Sequence, residues 1–240
     1  MFQDAVVPSV EPAVTRRQAA ADVVLTIVLV PLSAIGAGVL IGVFSTGTPN
    51  LAAVVLVQAL LVLAGVSLIL SRREQRFSDI GLAAPRAGDL GRAVIVLLAG
   101  FGVNAALTVA VVVLSPQTLE EHIAGLQSLT LDLTAETPLA AVLALLLVVG
   151  LYEEVVARGL LLTRSRQLLS GSLAPVLFSA ALFAVGHFYQ GAYGMLQTAL
   201  FGVVLAAFTI RWGTLWPAII AHSAINMLSV LQLGDVTVPT

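Results

Sequence analysis

Three short segments carry side chains that could do chemistry together. In the first, Tyr152-Glu153-Glu154-Val155-Val156-Ala157-Arg158, two adjacent carboxylates end an otherwise uncharged run that begins at Thr137. Successive residues on a helix project about 100° apart, so the two glutamates cannot serve one purpose. Glu154 and Arg158 stand four apart, in the order and at the separation of a helical ion pair. Glu153 is left as the carboxylate free to react. The second segment is Phe183-Ala184-Val185-Gly186-His187, and the third is His222-Ser223-Ala224-Ile225-Asn226. In the third, His222 and Asn226 share a helix face one turn apart and can offer two donors to one point. Each segment alone has an ordinary reading, as charges at a helix end or as a packed histidine. Three separate apolar segments that each contribute such groups point to a shared site.

The residue types narrow the reaction. The chain has no cysteine, and no Ser-His-Asp set stands out, so a covalent nucleophile is not the obvious reading. A buried glutamate can act as general base on a water that a neighbouring histidine orients. Paired donors such as His222 and Asn226 suit an oxyanion as a tetrahedral intermediate forms. Water attack on a carbonyl, and so peptide-bond hydrolysis, is the natural class. Glu153, His187 and His222 could also supply three ligands of a catalytic zinc with water in the fourth position. The HxxxN spacing lacks the HExxH arrangement of common zinc enzymes, and the balance favours chemistry without a tightly bound metal. The cofactor expectation is therefore none, or one divalent metal such as zinc.

These groups sit in a membrane. Of 240 residues, 59% are hydrophobic and 10% charged, against about 25% charged in soluble domains, and mean hydropathy is +1.04. Residues 23–71 and 93–119 carry no charge, and 167–210 and 212–234 carry no acid or arginine. A bilayer core needs ~20 apolar residues per helix, so these stretches are spans. An acid at the centre of a span costs about 2.5–3.5 kcal/mol, so intramembrane carboxylates are rarely accidental. The expected fold is all-α, a polytopic bundle of about seven, possibly eight, spans near 22–44, 51–70, 93–114, 138–169, 173–189, 192–210 and 214–233. The expected domains are a polar head (1–21), one membrane domain (22–233, with the motifs in 150–228) and a short tail (234–240). No cleavable signal peptide is expected, because the first apolar run is too long and lacks a small-residue cleavage site.

All eleven basic residues are arginines. With the N-terminus inside and seven spans, Arg16, Arg17, the five of loop 71–92, Arg164, Arg166 and Arg211 all fall on the cytoplasmic side. Only Arg158 lies within a span. The outer loop 115–137 holds Glu120, Glu121, Asp132 and Glu136 and no base. Within it, residues 117–133 have the spacing of an interfacial amphipathic helix, with an ordinary loop as the alternative. His122 there reads as a surface residue. Gly38 and Gly42 suggest close helix packing, and Gln58, Asn104 and Gln197 suggest interhelical hydrogen bonds. At 1.5 Å per residue, Glu153 falls in the inner part of its span and His187 near the outer end of its own. The two can meet only if those boundaries shift.

The order EExxxR, FxxxH, HxxxN on three successive membrane segments resembles the CPBP family, also called the CAAX protease and bacteriocin-processing or Abi family. Gly159-Leu160, Ile80-Gly81-Leu82 and Trp216-Pro217 add to the likeness, which covers roughly 71–230. It implies a helical intramembrane endopeptidase. Glu153 would activate a water, His187 would help place it, and His222 and Asn226 would bind the oxyanion or shape the site, with Glu154 and Arg158 in support. Members of that family have often been described as metalloproteases. One departure is Ala157, where the family usually has an aromatic before the arginine. Loss of that wall could widen the site without removing a catalytic group. The expected partners are the bilayer and a membrane protein or peptide substrate, with no nucleic acid, in a bacterial cytoplasmic membrane. Two other classes compete: a proton-coupled transporter, which lacks support from any internal repeat, and a non-catalytic immunity or scaffold protein of the same fold.

Overall fold

The computed structural model describes residues 14–234, and the expectations for 1–13 and 235–240 fall outside them. Eight helices follow in chain order: α1 Arg16–Phe44, α2 Leu51–Ser71, α3 Gly88–Leu114 and α4 Pro116–Thr134, then α5 Leu139–Leu168, α6 Leu173–Gly186, α7 Gly191–Trp212 and α8 Trp216–Gly234. Six of them, all but α4 and α6, are long and apolar enough to cross a membrane. The protein is a polytopic helical bundle. Apolar side chains such as Val24, Leu32, Val39 and Phe44 cover the outer face of α1 and are exposed, as lipid-facing residues must be.

Local sequence sets the ends. Thr15 and Gln18 form a capping box that starts α1, with the Gln18 side chain accepting from the Thr15 N–H at 2.8 Å. The Asn50 side chain caps α2 by accepting from the Ala53 N–H at 2.9 Å. Its amide also donates to Thr137 Oγ1 at 3.2 Å, which joins the turns before α2 and α5. The 117–133 segment is the helix α4. It is amphipathic, and its His122 is buried, not a surface residue: the ring packs edge-on against Tyr193 at 4.8 Å.

The glycine pair of α1 does not make the expected close packing. Among the described residues, nothing lies within 4 Å of a Cβ at Gly38, and Gly42 meets only Pro49 at 3.9 Å. Close approach comes instead from Gly65 on α2, where a Cβ would lie 2.6 Å from Leu29. At the arginine-rich end, Asp22 is fully buried and accepts from Arg73 (2.7 Å) and from the equally buried Arg164 (2.8 Å), tying α1, the turn after α2, and α5 together. The loop after α2 folds back under the bundle, with the Leu215 N–H donating to Gly81 O at 3.0 Å. Gly81 has φ +95, a conformation that suits glycine.

Two irregularities place the site. Helix α5 contains a π-helical segment, Val155–Leu161, immediately after the two glutamates; such bulges re-aim side chains and recur at functional sites. Helix α6 has 14 residues, about 21 Å at 1.5 Å per residue, and stops short of a ~30 Å hydrocarbon core. A 3₁₀ turn, Phe188–Gln190, then leads straight into α7. Glu153 lies midway along the 30-residue α5, about 22 Å from Leu168, and His187 lies about 21 Å from Leu173. The depth mismatch disappears because α6 ends early.

Candidate functional site

The site grows from α5, α6 and α8. Glu154 is fully buried, and its Oε1 accepts from Arg158 Nη1 at 2.8 Å and from His222 Nδ1 at 2.8 Å. Arg158 is 1% exposed, and its guanidinium carbon lies 4.2 Å from the Phe183 ring centre, a cation–π contact. Glu153 points elsewhere. Its Oε1 accepts from the Tyr152 hydroxyl at 3.1 Å, and its Oε2 lies 3.5 Å from His222 Nε2 and 3.9 Å from His187 Nε2. Its side chain is 15% exposed while that of Glu154 is 0% exposed. The two carboxylates therefore divide as the helical spacing requires, one bound in an ion pair and one facing two imidazoles.

The histidine tautomers follow from their partners. His187 Nδ1 lies 2.8 Å from the Phe183 carbonyl, which only accepts, so Nδ1 carries the proton. His222 Nδ1 faces the carboxylate that Arg158 already pairs, so it too is the N–H. Both rings thus turn an Nε2 toward Glu153. Phe183 is the shared wall, with its ring centre 4.6 Å from His187 and 5.9 Å from His222. Phe201 closes the other side of His222, edge-on at 5.9 Å. Asn226 stands one turn beyond His222 on α8 and is half-buried.

Close helix contact makes this geometry possible. A Cβ at Gly150, one turn before Glu153, would run into Ser223 Oγ and lie 3.2 Å from the Ser223 nitrogen and 3.3 Å from Ile219 O. Backbone thus meets backbone beside His222. At Gly202 a Cβ would sit 2.9 Å from Arg158 Nη2. Ser179 on α6 donates to the Ala157 carbonyl at 2.7 Å, a hydrogen bond that holds the π segment against α6. Ala157 is itself buried, and the Phe183 ring supplies aromatic surface over Arg158.

The three motifs converge: Glu153, His187 and His222 meet at one point, with Glu154 and Arg158 beneath His222. Sequence reasoning missed Tyr152, Phe201, Gly150 and Ser179. Gly150 had a visible signal as a glycine one turn before Glu153. The others are ordinary membrane residues until their neighbours are known. Asn104, proposed as an interhelical hydrogen bonder, has a buried Oδ1 with no partner among the described residues.

The donor types suit a divalent metal, since both Nε2 atoms are free and both Nδ1–H groups are held, by a carbonyl and by a carboxylate. Among the described residues, however, no group of three His, Cys, Asp or Glu is placed to hold one. Zinc bonds of about 2.0–2.1 Å set ligand atoms roughly 3.3 Å apart, so Glu153, His187 and His222 would have to draw in by a few tenths of an ångström.

The motif residues all fall within one matched stretch. Residues 135–228 match the Rce1-like family, described as type II CAAX prenyl endopeptidase Rce1-like. This is the resemblance carried by the three motifs, and it supports an intramembrane CAAX-type protease in general terms. No curated protein and no solved structure matches the chain.

Proposed function

We propose that the chain is an intramembrane endopeptidase that hydrolyses a peptide bond of a membrane-associated protein or peptide, with Glu153 as general base. The observation that carries this reading is the meeting of Glu153 Oε2 with the Nε2 atoms of His187 and His222 at 3.9 and 3.5 Å. A water hydrogen-bonded to Glu153 and oriented by His187 gives its proton to the carboxylate as its oxygen attacks the carbonyl. The oxyanion is taken by His222 and Asn226. His222 donates to the oxyanion through Nε2 in its doubly protonated form, with Nδ1–H held on Glu154 at 2.8 Å. The tetrahedral intermediate then collapses, the C–N bond breaks, and Glu153 passes its proton to the leaving amine. Glu154 and Arg158 hold His222 in place.

If a divalent metal such as zinc is bound, Glu153, His187 and His222 would hold it, and it would supply Lewis acidity and an acidified water. The wider spacing of the three groups favours the glutamate-type reading. In orientation, the arginine-bearing loops and the N-terminus face the cytoplasm of a bacterial cell. The test compares a deletion strain complemented with wild type or with Glu153→Ala, using terminal proteomics of the membrane fraction. New peptide termini should appear with wild type and be absent with an equally abundant Glu153→Ala. The same termini with both proteins would refute the protease reading.

A further inference from the structure

Helices α3 and α7 run antiparallel and are pinned at two levels. Thr108 Oγ1 and Tyr193 Oη lie 2.9 Å apart, and a Cβ at Gly100 would lie 2.6 Å from Phe201 Cε2. Four residues along each helix from either pin stand Asn104 and Gln197. The register puts these two amides at one level, on the faces the helices turn toward each other. Both residues are half-buried. The Asn104 Oδ1 is buried and has no hydrogen-bond partner among the described residues. A pair kept only as interhelical glue would satisfy that oxygen, because an orphaned buried amide oxygen is costly.

The level is next to the reaction. Phe201 lies against His222 at 5.9 Å, and Gln197 is one turn of α7 away, about 6 Å along the axis. An extended chain advances about 3.3 Å per residue. Adding the 5.9 Å step from His222 to Phe201, a substrate with its scissile carbonyl at Glu153 and His222 reaches Asn104 and Gln197 about three to four residues from the cut. A substrate helix must unwind there for the bond to be cleaved, and in lipid its released backbone groups need partners. A carboxamide offers both a donor and an acceptor, whatever side chain the substrate carries.

We propose that Asn104 and Gln197 form a backbone-binding subsite for an extended substrate segment, about three to four residues from the scissile bond. This rests on the protease reading above. The two act on binding and register, not on the reacting atoms. Asn104→Leu and Gln197→Leu remove the amides at similar volume and leave Glu153, His187, His222 and Asn226 untouched.

The test uses the same complemented strains, with the native membrane proteome as probe, and follows the rate at which each Glu153-dependent terminus appears. Each leucine variant should slow these cleavages at least ~10-fold. Its thermal unfolding midpoint in detergent should be unchanged or higher, since an unpartnered polar group is gone. Asn104→Gln and Gln197→Asn should recover part of the rate. Wild-type rates in both leucine variants would overturn the subsite. So would a loss of rate matched by a fall in the unfolding midpoint and not recovered by the amide-for-amide variants. If Glu153→Ala leaves the termini unchanged, the protease reading fails, and the subsite with it.

Discussion

Replacing each glutamate of the adjacent pair by glutamine separates the two roles proposed for them. Glu154 is fully buried beside a fully buried Arg158 side chain, with Nη1 to Oε1 at 2.8 Å and His222 Nδ1 on the same oxygen at 2.8 Å. Glutamine keeps the volume and one acceptor but removes the charge that Arg158 needs. Breaking a buried pair by removing one partner costs about 3–5 kcal/mol. The retained amide acceptor puts Glu154→Gln near the lower bound, at about 3 kcal/mol. For a chain of this size each kcal/mol moves the unfolding midpoint by roughly 2–4 °C, so a fall of about 6–12 °C is expected. Glu153 is different, because its side chain is 15% exposed and its hydrogen bond comes from the Tyr152 hydroxyl at 3.1 Å. An amide oxygen keeps that bond, so Glu153→Gln should move stability by less than about 1 kcal/mol. It should still lose about 10²–10⁴-fold in cleavage rate, the usual share of a general base. Thermal unfolding in detergent, together with terminal proteomics, reads both quantities. Equal destabilisation by the two substitutions, or cleavage surviving Glu153→Gln, would refute the assignment.

Gly150→Ala adds one methyl group against Ser223 and the Ile219 carbonyl. It should push α5 from α8 and cut the cleavage rate about 10²-fold without removing a polar group, because displacements near 1 Å carry costs of that size. Asp22→Asn leaves the buried Arg164 and its neighbour Arg73 without their acid. It should lower stability by about 3 kcal/mol or more, seen as an unfolding midpoint well below wild type. Exhaustive chelation of the purified protein, checked by elemental analysis, should leave the Glu153-dependent cleavage of a substrate identified by terminal proteomics intact. Loss of cleavage that zinc restores would favour the metal-dependent form of the site.

Much of this was legible in the residues. Uncharged runs set the long helices to within about six residues, the largest misses being the starts of α1 and α3, which begin in charged sequence before the lipid-length run. The Glu154–Arg158 pair was readable from its i,i+4 spacing, and its assignment left Glu153 free. What stayed hidden depends on three-dimensional neighbours. The burial of His122 needs Tyr193, which lies far along the chain. The Gly38 and Gly42 spacing looked like a packing motif, but among the described residues no other helix comes within 4 Å of it. The π segment at Val155–Leu161 has no compositional mark. Within it the Ala157 carbonyl accepts from the Leu162 N–H five residues on, and Ser179 adds a second hydrogen bond to the same oxygen.

The depth of His187 shows how fold and site are coupled. A span of ordinary length ending at residue 189 would place His187 near the far surface, away from a glutamate at mid-helix. Helix α6 ends at Gly186, and the His187 ring turns back so that Nδ1 bonds the Phe183 carbonyl in the last helical turn at 2.8 Å. That bond does two things at once. It satisfies a carbonyl left open by the helix end, and it fixes the tautomer that presents Nε2 to Glu153. A full-length α6 would have used the Phe183 carbonyl within its own ladder and sent the ring past the site. The short helix and the placing of His187 beside Glu153 are therefore one feature. Extending α6 by a helical turn should abolish cleavage while leaving the Glu154–Arg158 pair, and most of the stability, in place.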